Sequence, residues 1–395
     1  MAMLLAYALT LLFAVLISGL ARRTVLSTAV LFLGAGLLIG SGSISSIPEP
    51  NTTLLRRLAE LALFSVLFTD GMRTGGMKAI RTNWRAPGRA LILGMPLTIA
   101  GIAILAYLLV GVTWPAAFLL GAALSPTDPV FVSAIFSVEA VPDRVKRLLN
   151  LESGLNDGLA LIPVMLLLPE VGTGTVFTKH VLLEMAVGVA IGLAIPWAGI
   201  VLERSRFFGA AGIFEPLNAF AIGLLVLAVS YISGANSFLA AFAGGVSVAT
   251  FSPAVTESFE RFGELVTELL KLAALLVLGA VIEPRLFVAI PGREYLFVLL
   301  AVFVVRLPAI WLSFLGSHWP RKEIWAVAWF GPKGFASVVY GIFILNLGTP
   351  EARHMAHLIA LGIAASILVC SSTDILVGRW FHPKRAVDRG EEIAS

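Results

Sequence analysis

Apolar residues fill this chain in runs of about twenty, the length a helix needs to cross a bilayer, separated by short joints rich in Arg, Lys, Gly and Pro. Thirteen runs can be marked, near 2–21, 24–40, 54–70, 89–110, 114–137, 147–168, 180–202, 214–233, 236–251, 264–282, 295–315, 322–345 and 355–378. The composition agrees: of 395 residues 58% are hydrophobic and 13% charged, and the mean hydropathy is +0.94. The expectation is an all-α polytopic membrane protein of about 13 transmembrane helices. The longest polar stretch follows Trp380, so the reading is of a single membrane domain over 1–395, ending in a short tail at 381–395.

Charge sets the orientation. No basic residue precedes the first run and Arg22-Arg23 follow it at once, the reverse of a secretory signal, so it reads as a retained helix with its N-terminus outside. In that frame nineteen of the 28 Lys and Arg residues lie on the cytoplasmic side and six outside, as the positive-inside rule requires. The tail is then cytoplasmic, and the host is a cell membrane, plasma or inner. The net charge of +4 is explained by orientation. No basic-aromatic pattern points to a nucleic-acid partner. Cys370 is single, which excludes an intrachain disulfide. Three cations, Lys271, Arg306 and Lys333, stay inside runs, and Lys271, close to the end of its span, reads as a snorkelling side chain.

Thirteen spans with an outside start allow two six-helix halves of inverted topology, about 1–170 and 214–380, joined by a linking helix at 180–202. Inverted repeats place interrupted helices at corresponding positions. The fifth run of the first half holds Ser125-Pro126-Thr127-Asp128-Pro129, and the fifth of the second holds Gly331-Pro332-Lys333-Gly334. Each proline removes an amide donor and disfavours helical angles in the residue before it, so Thr127 and Asp128 should be extended. A carboxylate at Asp128 would sit at the N-terminus of a half-helix starting near Val130, and Lys333 would offset the C-terminal end formed by 324–330. Charges at both breaks favour function over kinked packing, because each is costly in lipid, at least ~2.5 kcal/mol at the bilayer centre.

The sixth run adds Glu152-Ser153-Gly154-Leu155-Asn156-Asp157. Glu152 and Asn156 share one ridge of a helix, Ser153 and Asp157 the next, so four oxygen-bearing side chains stand together. Asp157 falls roughly 12 Å into the span at 1.5 Å per residue. Hard cations choose such oxygens. An acid in a partly dehydrated cavity holds a proton or a cation, and competition at one site suffices for exchange.

Thr127-Asp128-Pro129 followed by Glu152-Ser153 and Asn156-Asp157 resembles the NhaP-type monovalent cation/proton antiporters, relatives of the eukaryotic sodium/proton exchangers. The resemblance extends to Arg306 in Val304-Val305-Arg306-Leu307 and to Gly331-Pro332-Lys333-Gly334. It implies the sodium/proton antiporter fold with crossed broken helices, an elevator-like movement and a homodimer. It further implies exchange of sodium, with lithium or potassium as alternatives, for protons, and a place in pH homeostasis. No cofactor is called for beyond the transported ions. Asp157 would hold cation and proton in turn, with Thr127, Asp128 and Ser153 coordinating the cation. Asn156 resembles the position that separates electroneutral members from those with two adjacent aspartates. Arg306 would pair with Glu152 and bond toward Asn156. Two departures stand out. Lys333 replaces a planar guanidinium with a point charge where the family often has Arg. The family's third-span acid aligns with Thr69, whereas the acid here is Asp70, a rotation of about 100° that either keeps it near the ion or turns it away.

Other features are weaker. His354 and His357 lack a third ligand and read as surface or packing residues, with a pH sensor as the alternative. Gly188 and Gly192 mark either a dimer face or packing within the bundle. Two rival functions use the same acids: an intramembrane aspartyl protease, which needs carboxyls about 3 Å apart, and a cation channel without proton coupling.

Overall fold

The computed structural model describes residues 2–21, 28–40, 52–128, 141–174, 179–203, 205, 214–281 and 290–381. The described residues contain helices and connecting turns, with no strand among them. In chain order the helices are α1 (Ala2–Ala21), α2 (Thr28–Gly40), α3 (Thr52–Arg73), α4 (Gly76–Asn83), α5 (Arg85–Val110), α6 (Trp114–Leu124), α7 (Asp143–Thr173), α8 (Lys179–Glu203), α9 (Glu215–Ser233), α10 (Ser237–Phe251), α11 (Pro253–Val281), α12 (Gly292–Ser313), α13 (Arg321–Trp329), α14 (Phe335–Leu345) and α15 (Pro350–Phe381).

Each sequence run meets one of these helices, or the broken pair α13 and α14 in the case of 322–345; the part of the run 114–137 beyond Asp128 lies outside the described residues. Only the short α4 falls outside the scheme. Among the described residues five helices, α5, α7, α8, α9 and α12, are individually long and apolar enough to cross a membrane. Leu4, Leu9, Leu12 and Leu16 on α1, and Leu183, Leu193 and Trp197 on α8, point away from the protein, as lipid-facing side chains do where no aqueous penalty applies.

Helix ends follow local chemistry. Asn236 caps α10 by accepting from the amides of Phe238 (3.1 Å) and Leu239 (3.0 Å). Gly174 ends α7 with φ 68°, a left-handed angle that a side chain would resist. The tightest crossings rest on small residues. A methyl group on Gly245 would collide with the Phe68 carbonyl, which lets α10 lie against α3. Methyls on Gly188 and Gly192 would strike the Asn236 and Ala240 carbonyls. The two glycines of α8 therefore serve packing against α10 within the chain, which decides between the readings left open above.

Side chains tie helix ends together in pairs. Arg89 donates to the Leu315 carbonyl (3.0 Å), Arg144 meets Glu323 (2.5 Å) and Arg73 meets Glu264 (2.6 Å). Tyr231 donates to Glu60 (2.9 Å) and His354 meets Glu294 (3.0 Å). Arg144 also lies over the Trp319 ring, 5.5 Å from its centre.

Candidate functional site

Both interruptions occur where the prolines are. α6 stops at Leu124, and Pro126, Thr127 and Asp128 are not helical. α13 stops at Trp329, and Phe330 turns away with ψ 78° before α14 begins at Phe335. The half-helix expected after Val130 lies outside the described residues.

The two breaks touch. The Asp128 amide donates to the Pro332 carbonyl at 2.9 Å, a main-chain bond joining one interrupted helix to the other. Gly334 lies directly on Asp128, whose Cβ a methyl group at that position would overlap. The Lys333 amide donates to Ser366 Oγ at 2.8 Å, which anchors the second break to α15, and the Lys333 side chain is completely buried. The amides of Asp128 and Lys333, outside any helix at the breaks, thus find acceptors, as buried backbone groups must away from water.

The sixth-span residues stand against this crossing. Glu152, Ser153, Asn156 and Asp157 are all buried on α7. The Asn156 amide donates to the Thr127 hydroxyl (2.8 Å) and carbonyl (3.2 Å), holding the first break to α7. Arg306 Nη2 donates to Glu152 (2.7 Å) and to the Val327 carbonyl (3.4 Å), so the last turn of α13 is tied to the same helix. Gly331 makes room for that guanidinium, because a methyl there would run into Arg306 Nε.

Two sequence expectations are corrected here. Arg306 pairs with Glu152 as expected, but its further bond goes to the Val327 carbonyl and not toward Asn156, whose buried Oδ1 accepts no hydrogen bond. Lys271 does not snorkel. It is buried on α11, and its Nζ lies 3.6 Å from Asp128 Oδ2. Sequence reasoning discounted this lysine, although its setting in an apolar run was the same signal that flagged Arg306. Glu264, Glu268 and Lys271 also recur at helical spacing on one stripe.

Asp70 falls within the cluster despite its offset. It is close enough to Asp157, Asp128 and Lys271 for their charges to interact, and Arg73 Nη1 lies 3.6 Å from its carboxylate. From Glu264 and Arg73 inward, the charged side chains become steadily less exposed: Glu264 46%, Arg73 37%, Asp70 15%, Lys271 10%, Asp128 7%. This graded line from α3 and α11 leads toward Asp157, itself 3% exposed. Tyr340, also missed in the sequence, is fully buried and donates to the Asp157 carbonyl at 2.7 Å.

Asp157 differs from the other acids around the crossing. Glu152 has Arg306, Asp70 has Arg73 and Asp128 has Lys271, whereas Asp157 has no salt-bridge partner among the described residues and its buried Oδ1 accepts no hydrogen bond. A buried oxygen in that state needs a proton or a cation. His354, by contrast, pairs with Glu294, and no group of His, Cys, Asp and Glu fit for a resident metal occurs among the described residues.

An interrupted-helix crossing faced by a buried acid on a long apolar helix defines a membrane protein built around an ion site. The chain belongs to the transmembrane sodium/hydrogen exchanger family, which matches residues 8–379. It is 27% identical over 360 residues to the K(+)/H(+) antiporter NhaP of Alkalimonas amylolytica, a match covering 89% of this chain and 62% of that protein. It is 24% identical over 365 residues to the K(+)/H(+) antiporter NhaP2 of Shewanella sp. strain MR-4, covering 90% and 62%. The chain thus spans about three fifths of the length of these curated relatives. Its fold is similar to that of the sodium proton antiporter MjNhaP1 from Methanocaldococcus jannaschii, with a TM-score of 0.74 at 18% identity over 96% of this chain and 95% of that one.

Proposed function

We propose that the chain exchanges an alkali cation, sodium or potassium, for a proton at Asp157. The observation that carries this reading is that, among the described residues, buried Asp157 has no salt-bridge partner and its Oδ1 accepts no hydrogen bond. Its carboxylate takes either a proton or a cation, and binding one expels the other. Thr127, Ser153 and Asp128 are the cation's further oxygen ligands in this proposal, with Asp70 on the approach and Asn156 holding Thr127 in place.

Alternating access follows if the crossing moves as a unit relative to the rest. The bonds from Asn156, Arg306 and Tyr340 support such a unit, since they tie both breaks to α7. The proposal includes two inverted halves, about 1–170 and 214–380, linked through 180–202. It puts Arg73 on the cytoplasmic side and the N-terminus outside, supported by the excess of Lys and Arg in the segments that the sequence map assigns inside. The named relatives act on potassium and the structural neighbour on sodium, so cation choice is left to experiment.

The test is the response of an enclosed pH dye in proteoliposomes to sodium, potassium and lithium added in turn, with the potential clamped. A proton flux evoked by at least one of them is expected. Silence toward all three, or cation flux without proton movement, would refute the exchange reading.

A further inference from the structure

The joint between α3 and α5 carries cations that have no acid beside them. Gly75 and Gly76 turn the chain with consecutive left-handed φ angles of 71° and 76°, which side chains would resist. α4 then packs on the end of α10: the Met77 amide donates to Thr250 Oγ1 at 3.0 Å, and a methyl group on Gly76 would strike the Ala249 carbonyl. Since α4 joins two consecutive apolar runs, it lies at the level where the bilayer core gives way to headgroups.

Helical angles continue from α4 through Trp84 into α5. At 100° per residue, Met77, Lys78, Arg81, Trp84 and Arg85 fall on one arc of roughly 120°, the two apolar residues along one edge and the three cations over the rest. All five are exposed, whereas Ala79 and Ile80, on the other side of the helix, are half-buried. Lys78, Arg81 and Arg85 enter no ion pair among the described residues. The sequence has no acid between Asp70 and Asp128. The flanking cations are engaged elsewhere, Arg73 with Glu264 and Arg89 with the Leu315 carbonyl. The Trp84 indole lies across Gly88, where a methyl group would run into it, so packing sets its place beside the cations.

We infer that this face of α4 binds anionic phospholipids, with Met77 and Trp84 entering the acyl boundary and Lys78, Arg81 and Arg85 meeting the headgroup phosphates. An indole favours that boundary, and juxtamembrane cations find their countercharge there. A free phosphate calls for a concave site. Here the charges are strung along an open face roughly 12 Å long beside apolar side chains, which fits a lipid surface. The inference is independent of the reading of Asp157.

The experiment melts the detergent-solubilised parent protein with rising amounts of dioleoylphosphatidylglycerol or dioleoylphosphatidylcholine. Beside it stand the triple variant Lys78→Gln/Arg81→Gln/Arg85→Gln and the double variant Arg321→Gln/Lys322→Gln, which removes two exposed cations from the start of α13. Phosphatidylglycerol should stabilise the parent at far lower concentrations than phosphatidylcholine, and high salt should weaken that preference. The triple variant should need on the order of a hundredfold more phosphatidylglycerol for the same rise, and the α13 variant should respond like the parent. Glycerol phosphate, a headgroup without chains, should not substitute for the lipid. A parent indifferent to headgroup charge would leave the face to an acidic protein and overturn the lipid assignment. An unchanged triple variant, an equal loss in the α13 variant, or protection by glycerol phosphate equal to that by the lipid would overturn it too. Should the triple variant fail to fold, brominated phosphatidylglycerol tests the parent directly: the emission that Trp84→Phe lacks should be quenched more strongly by it than by brominated phosphatidylcholine, and equal quenching would overturn the inference.

Discussion

Two buried ion pairs flank the crossing, and they are built differently. Glu152 and Arg306 meet at 2.7 Å, and the guanidinium spends a second donor on the Val327 carbonyl, so a planar, rigid group fixes three helices. Asp128 and Lys271 stand 3.6 Å apart, beyond hydrogen-bond range, with a compact charge on a flexible stem. The first pair holds shape and the second holds charge. A site that must keep its geometry while an ion comes and goes needs both, in different residues.

Breaking the rigid pair should have the largest effect. Arg306→Met leaves Glu152 buried and alone, at a cost of about 3–5 kcal/mol, and the variant should be lost from the folded fraction in a thermal melt in detergent. Adding Glu152→Gln to it should recover much of the melt. An Arg306→Met protein as stable as its parent would show that the pair is not structural. Lys271→Met removes an ammonium that stands beyond hydrogen-bond range of Asp128, so its melt should fall by less than that of Arg306→Met.

Next in size is Gly334→Ala, which drives a methyl group onto Asp128 Cβ. Overpacking of this kind costs about 1–3 kcal/mol, and the exchange rate should fall by an order of magnitude or more with the protein still folded. An unchanged rate would mean that the breaks need not touch. Asn156→Asp removes the donor to Thr127 and sets a carboxylate against the Thr127 carbonyl. The expected loss is about 1–3 kcal/mol of stability, and a variant as stable as the parent would argue against the clamp. Tyr340→Phe, which removes one hydrogen bond to a backbone carbonyl, should cost about 1 kcal/mol and reduce the rate only slightly. A large loss there would move Tyr340 into the ion path.

The residues of the crossing were legible because each breaks the apolar background: two prolines around Thr127-Asp128, a Gly-Pro-Lys-Gly insert, and acids a helical turn apart on α7. The spans were legible because lipid demands long apolar runs. Lys271 was not, since a lone cation a few turns from a helix end satisfies the same pattern whether it reaches for water or turns inward. Asp70 was ambiguous for a related reason: a shift of about 100° along an isolated helix cannot show how that helix is rotated in the bundle. The short α4 escaped because its polar face gives no apolar run. Gly188 and Gly192 fit two partners equally well until α10 was seen against them.

The central claim is that one acid carries both ions. Its most direct test is Asp157→Asn beside the parent in the same liposomes, with thermal melts to show that both are folded. The account predicts that the asparagine variant melts like the parent or higher, because an amide needs no counterion, and gives no cation-evoked proton flux. Exchange at the parental rate by a folded Asp157→Asn protein would contradict it.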